Sequence, residues 1–150
     1  MQILVIGKKH EPWVAAGIER YEKRLRRPFN VDWVYLPHSQ FDAERARQEE
    51  SDRILARLKS DDFVILLDER GKNINSPALS DQLESKVTQS QPVVIIIGGA
   101  YGVDERVHTR ANFVWSLSKL VFPHQLVRLI LTEQLYRAQE ISRGGGYHHE

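Results

Sequence analysis

The sequence predicts an α/β fold, a mostly parallel sheet with helices on both faces. Three observations carry this. Short apolar runs alternate with helical patterns along the chain, the order expected of a parallel sheet joined by crossover helices. The run Val93–Ile97 is uniformly β-branched, with no polar alternation, and so marks a central strand covered on both sides. No linker, internal repeat or low-complexity segment interrupts the pattern, and 150 residues suit one domain, residues 1–150, with one sizeable core.

The elements follow in order. Ile3–Ile6 is the first strand. Glu11–Arg27 is a helix with Pro12 in its first turn, where a missing N–H costs little. Val31–Leu36 is the second strand, closed by Pro37. Ala43–Lys59 is a helix carrying both charge signs, with Glu49 and Arg53 in the stabilising i,i+4 order. Phe63–Leu67 is the third strand. Ser76–Thr88 is a helix, with Ser76 as its N-cap and Pro77 at the first helical position. After the fourth strand, Val93–Ile97, come a short helix, Asp104–Arg110, and a fifth strand, Phe113–Leu117. Gln125–Ile141 is the last helix, and the tail Arg143–Glu150 is irregular. On the last helix Leu126, Val127, Leu129, Ile130, Leu131 and Leu135 leave only a narrow polar stripe. Such a helix is buried on most sides, either deep in one subunit or against a second copy of the chain.

Composition excludes several function classes. Hydrophobic residues make up 41% and charged residues 27%, an ordinary soluble balance. No apolar run approaches the ~20 residues of a membrane helix. The first residues read as a strand and not as a signal peptide. The chain has no cysteine, which removes disulfides, thiol nucleophiles and Cys-based zinc sites and fits a cytoplasmic setting. Net charge is +1, so contact with nucleic acid requires a local basic patch.

Ligands of open parallel sheets bind beyond the C-terminal ends of the strands. Three such ends carry the informative segments: Leu67–Lys72, Ile97–Gly102 and Leu117–Pro123. Gly98, Gly99 and Gly102 allow a tight turn and a close approach to a ligand, although a plain strand-to-helix turn reads the same way. The cluster is not G-x-G-x-x-G, and neither a P-loop nor G-x-S-x-G is present. Leu117–Phe122 is unusually apolar for a loop, which suits either the wall of a pocket for a flat ring or a loop tucked into the core. His148-His149-Glu150 lacks the i,i+4 spacing of a helical metal site, so no metal is expected. Tyr147 beside His148, after the flexible Gly144–Gly146, suits a segment that closes over a substrate base. A frayed terminus is the plain alternative. Arg137 lies four residues after Glu133, the spacing of a structural ion pair. The basic run Arg20, Lys23, Arg24, Arg26, Arg27 reads as a phosphate-contacting or simply a solvated helix face.

Taken together, Leu66-Leu-Asp-Glu-Arg-Gly-Lys72, Ile97-Gly-Gly-Ala-Tyr-Gly102, Trp115-Ser-Leu-Ser118, Phe122-Pro-His-Gln-Leu-Val-Arg128, Glu133-Gln-Leu-Tyr-Arg-Ala138 and Tyr147-His148 closely resemble one family over essentially the whole chain. It is the bacterial ribosomal large-subunit pseudouridine N3-methyltransferase family (RlmH), of the SPOUT class. The resemblance implies an α/β sheet with a C-terminal trefoil knot, a homodimer, and S-adenosylmethionine as cofactor. It implies that Leu67, Gly98, Leu117, Ser118, Lys119, Leu120, Val121 and Phe122 contact that cofactor. The implied substrate is a pseudouridine in 23S ribosomal RNA on assembled ribosomes, with the tail completing the partner subunit's active site. Two departures stand out: His149, where relatives often carry Arg or Lys, and Ala100-Tyr101, where others often have Pro-Glu. The expected reaction is a direct in-line methyl transfer, with His148 as base, Tyr147 positioning the substrate and Arg137 stabilising the anionic base ring. Rival readings are a SPOUT methyltransferase of another RNA and a non-catalytic ribosome-binding module.

Overall fold

A computed structural model describes residues 1–149; Glu150, the end of the expected tail, lies outside them. Five strands form one sheet in the order β2-β1-β4-β3-β5, and every neighbouring pair is parallel. The strands are β1 (Gln2–Ile6), β2 (Asp32–Leu36), β3 (Phe63–Lys72), β4 (Val93–Ile97) and β5 (Phe113–Trp115). The helices are α1 (Pro12–Glu22), α2 (Ala43–Leu55), α3 (Ser76–Thr88), α4 (Glu105–Arg110) and α5 (His124–Ser142).

β4 pairs with β1 on one side and β3 on the other, and all of its residues are buried. This is the central position that its β-branched run predicts. The period-two alternation of the strands divides the core into two layers. Ile3, Val5, Ile65, Ile95 and Ile97 face α3 and α5, packing with Leu79, Leu83, Leu131, Leu135 and Ala138. Leu4, Ile6, Val64, Leu66, Val94 and Ile96 face the other way, against Ile54 of α2 and Val107 of α4. Helices therefore cover both faces. α5 packs against α1 and α3 as well as the sheet, so much of its broad apolar surface is used inside one subunit. None of the described helices is long and apolar enough to cross a membrane.

Several boundaries shift from the sequence expectation, and the larger shifts, with the cap of α3, have local reasons. α1 stops at Glu22, not Arg27, because the chain turns there to bring Leu25 and Phe29 into the core, where they are 5% and 3% exposed. α2 ends at Leu55, not Lys59, and the following turn is held by Asp62, whose carboxylate accepts from the Lys59 N–H at 2.7 Å. β3 runs on to Lys72, bulging after Leu67 and pairing again where Lys72 lies opposite Trp115. β5 is correspondingly short. The cap of α3 is Asn75, not Ser76: the Asn75 side chain accepts from the Ala78 N–H at 2.9 Å, which moves Ser76 into the first turn. Ser76 instead donates from its hydroxyl to Gln134 Oε1 at 2.7 Å, tying α3 to α5. Asn75→Ala is expected to cost about 1 kcal/mol in urea unfolding, as cap removals do.

Candidate active site

The C-terminal ends of β3, β4 and β5 open into one cleft of about 500 Å³. Its floor is Leu67, Ile97 and Trp115. One wall is the turn Gly98–Val103, and the opposite wall is Leu117, Ser118, Leu120, Val121 and Phe122. His124 and Val127, at the start of α5, close one end, and Asp68, Glu69, Arg70 and Arg47 line the polar rim. Leu120 and Val121 are 69% and 78% exposed, so this apolar loop is an open pocket wall and not a core plug. Of the eight expected cofactor contacts, seven line the cleft. Lys119 is exposed on the same loop but is not part of the lining.

Local chemistry explains the shape. Gly99 and Gly102 pair across a two-residue turn, with the Gly102 N–H donating to the Gly99 carbonyl at 3.0 Å. Gly102 has a φ of +71°, a left-handed conformation that glycine adopts without penalty. The turn thus lifts Ala100 and Tyr101 to the rim and leaves the Tyr101 ring 49% exposed. On the opposite wall, Ser116 Oγ donates to the Ser118 carbonyl at 2.7 Å and the Leu120 N–H donates to Ser118 Oγ at 3.0 Å. These bonds hold the apolar loop against the strand it leaves. The Asn73 side chain donates to the Ser116 carbonyl at 2.8 Å, tying that loop to the end of β3. At the rim, Asp68 accepts two side-chain bonds from Arg70, at 2.9 and 2.8 Å. The hydrogen bond from Arg70 holds the Asp68 carboxyl below its usual range, so it stays ionised beside the cleft.

Tyr147, His148 and Arg137 gather elsewhere, around a residue that the sequence marked only as an ion-pair partner. Glu133 Oε1 accepts from Arg137 at 3.1 and 2.5 Å and from the Tyr147 hydroxyl at 3.2 Å. The Arg137 guanidinium lies 4.9 Å from the centre of the Tyr147 ring, and its Nη1 is 3.5 Å from His148 Nδ1. Tyr147 also packs edge-on against Tyr136, at 4.8 Å between centroids. The tail is therefore docked on α5. Burial, a hydrogen bond with Tyr21 and the Glu133 charge push the Tyr147 phenol up to about 12. It is neutral at physiological pH and acts as a donor, not a base. The folded value exceeds the ordinary 10.0, so its contribution to stability is complete below pH 10 and is lost as pH rises toward 12. Tyr147→Phe is expected to remove part of the alkaline fall in Tm between those values.

His148 lines a second cavity of about 510 Å³, with Asn75, Ser76, Pro77, Ile130 and Gln134. Trp115 and Leu117 line both cavities. Within one chain, then, His148 lines a cavity that shares a wall with the cleft of the expected cofactor contacts, while Tyr147 and Arg137 contact each other and Glu133 outside the lining of both. Sequence reading missed Ile97, Trp115 and Val127 as cleft residues. Ile97 and Trp115 end strands, so their position beside the glycine turn and the apolar loop is the signal that finds them. It also missed Glu133 as the hub of the tail, for which the i,i+4 spacing to Arg137 was the available signal.

The pocket at three parallel strand ends, with a glycine turn facing an apolar loop, lies in a chain that one protein family accounts for almost end to end. The family model described as "Predicted SPOUT methyltransferase" matches residues 1–148, and the chain belongs to that family of S-adenosylmethionine-dependent methyltransferases.

Proposed function

We propose that this chain methylates N3 of a pseudouridine in large-subunit (23S) ribosomal RNA, acting as a homodimer on assembled ribosomes in the cytoplasm. The observation that carries the reading is the single cleft in which Leu67, Gly98, Leu117, Ser118, Leu120, Val121 and Phe122 converge, in a chain of the SPOUT family. The residues fit S-adenosylmethionine. The volume suits a cofactor of that size, the apolar loop suits a flat ring, and the ionised Asp68 at the rim suits a cationic group. Lys119, exposed on the same loop, belongs to the proposed contact set. The reading includes a C-terminal trefoil knot, against the general rule that chains are unknotted. The family match over residues 1–148 is what supports it.

When bound, S-adenosylmethionine supplies the methyl group. The chain supplies orientation and proton handling. The apolar walls exclude water and hold the reacting groups in line. His148 takes the N3 proton, Arg137 steadies the negative charge on the base ring, and Tyr147, a neutral phenol, positions the ring by donating a hydrogen bond. In the dimer, the tail of one subunit completes the site of its partner.

Mass spectrometry of ribosomal RNA from a strain lacking this chain tests the reading. A methyl missing from one large-subunit pseudouridine, and restored by the chain, is the expected result. A methyl missing from another RNA assigns the activity to that RNA. Calorimetry with S-adenosylmethionine showing no binding to folded dimer makes the chain a binding module.

A further inference from the structure

We infer that Tyr101 is a stacking platform for a nucleobase of the substrate RNA, the base that lies beside the target at the mouth of the cleft. The inference rests on the RNA-methyltransferase reading above and names a substrate contact within that site. Among the described residues the exposed large hydrophobic side chains are Trp13, Phe41, Tyr101, Leu120 and Val121. Scattered singly they would need no explanation, but Tyr101, Leu120 and Val121 line one cleft. Leu120 and Val121 belong to the loop proposed to hold the cofactor. Tyr101 stands on the other wall, where no such role accounts for it.

The fold makes no use of this ring. Tyr21, Tyr35, Tyr136 and Tyr147, the other tyrosines of the chain, each pack in an aromatic pair. Among the described residues no aromatic ring or cation packs against Tyr101, and half of its surface is open to a ligand. The backbone beneath it is fixed. Tyr101 holds a central position of the turn Gly99–Gly102, which the Gly102 N–H closes on the Gly99 carbonyl. The turn is seated on α2: a Cβ at residue 99 would collide with the buried Glu50 carboxylate. Just past the turn, the Asp104 N–H donates to the hydroxyl of buried Ser51 at 2.9 Å. A ring presented on so firm a turn loses little freedom when a base stacks on it.

A nucleobase fits this surface better than other occupants. Single-stranded RNA is recognised by stacking its splayed bases on exposed aromatic rings. The target base must come within about 3–3.5 Å of the transferred methyl group, and so it goes deeper, toward the floor. Tyr101, at the rim, meets a base that stays at the mouth. Charge at this rim is nearly balanced, with Arg47 and Arg70 against Asp68 and Glu69, and Asp68 is taken up by Arg70. Attraction for a phosphate is therefore weak there, and stacking is the contact the rim offers. A second copy of the chain would need a continuous apolar patch, whereas the cleft divides Tyr101 from Leu120 and Val121.

The test uses the full-length protein, with ribosomes from a strain lacking the chain as substrate. Methyl transfer is followed for wild type, Tyr101→Ala, Tyr101→Leu, Tyr101→Phe and Tyr101→Trp, and S-adenosylmethionine affinity is measured by calorimetry. The expected result is a KM for ribosomes raised roughly tenfold in Tyr101→Ala and Tyr101→Leu, the usual loss of one base–aromatic stack, with the effect in KM and not in kcat. Tyr101→Phe and Tyr101→Trp keep a flat ring and avoid most of that loss. Cofactor affinity and Tm stay at wild-type values throughout, because an exposed ring at a turn tip contributes little to folding. An unchanged KM in Tyr101→Ala overturns the platform. So does a Tyr101→Leu that matches wild type, since apolar cover then suffices. A Tyr101→Phe as weak as Tyr101→Ala assigns the contact to the hydroxyl and overturns stacking. Lost cofactor affinity in Tyr101→Ala makes the ring a cofactor contact, and a dissociated dimer places it in the subunit interface; either result overturns the proposal. Failure of the wild-type protein to methylate those ribosomes sinks the ribosomal reading alone. Affinity for a single-stranded RNA oligonucleotide, compared between wild type and Tyr101→Ala, then reports on the platform, and equal affinities overturn it.

Discussion

Gly71→Ala is expected to destabilise the protein by about 2–3 kcal/mol and to weaken S-adenosylmethionine binding more than tenfold. A Cβ at residue 71 would lie 2.7 Å from the carbonyl carbon and oxygen of Val114 and 2.8 Å from the carbonyl carbon of Trp115. These are main-chain atoms of β5, which cannot step aside as a side-chain tip can, so the cost falls at the upper end of the overpacking range of about 1–3 kcal/mol. The strain also travels to the site. The extension of β3 re-pairs with β5 at Lys72, and the Ser116 N–H donates to the Lys72 carbonyl at 3.1 Å. Ser116 in turn orients the loop that walls the cleft, through its hydroxyl on the Ser118 carbonyl. Pushing the two strands apart displaces Trp115 and Leu117 together, and both line the cleft. Urea unfolding and calorimetry check the two effects. Wild-type stability with wild-type affinity would show that the approach of Gly71 to β5 is not needed.

That contact illustrates what a linear reading reaches. The order of strands and helices was legible because burial writes itself into hydrophobic periodicity. Val93–Ile97, apolar at every position, can only be a strand covered on both faces. The strand ends were legible as the place for a pocket, but its expected cofactor contacts came from the family resemblance; seven of those eight residues line one cleft. The extension of β3 was not. Asp68–Lys72 is polar and contains a glycine, which reads as a loop, and its strand character depends on β5, some forty residues away. The cap of α3 was ambiguous for a different reason: Asn75 and Ser76 are adjacent capping types, and backbone geometry alone decides between them. The meeting of Gly7, His38 and Arg128 could not be read at all, since it joins β1, the end of β2 and α5.

Arg137→Ala is expected to lower kcat by about 10²–10³, the usual cost of removing one donor that faces developing charge, with S-adenosylmethionine affinity unchanged. The guanidinium is divided between two tasks. Its Nε and Nη2 are held by Glu133, and its Nη1 is left toward His148 Nδ1 at 3.5 Å. It is also packed over the Tyr147 ring at 4.9 Å, so one side chain fixes both tail residues. Loss of Arg137 leaves the Glu133 carboxylate with the Tyr147 hydroxyl and the neighbouring Gln134 amide as partners and unseats the tail. Arg137→Lys separates charge from geometry. Lysine keeps the positive charge but lacks the fork that engages Glu133 and faces His148 at once, so only part of the loss should return. His148→Ala provides the comparison. A general base contributes about 10²–10⁴, and near-normal turnover with the RNA bound would remove His148 from that role. If Arg137→Ala is severe while His148→Ala is mild, the guanidinium carries the chemistry by favouring the anionic base ring. The proton then leaves to solvent, and the tail's task is to hold Arg137 in register with the substrate.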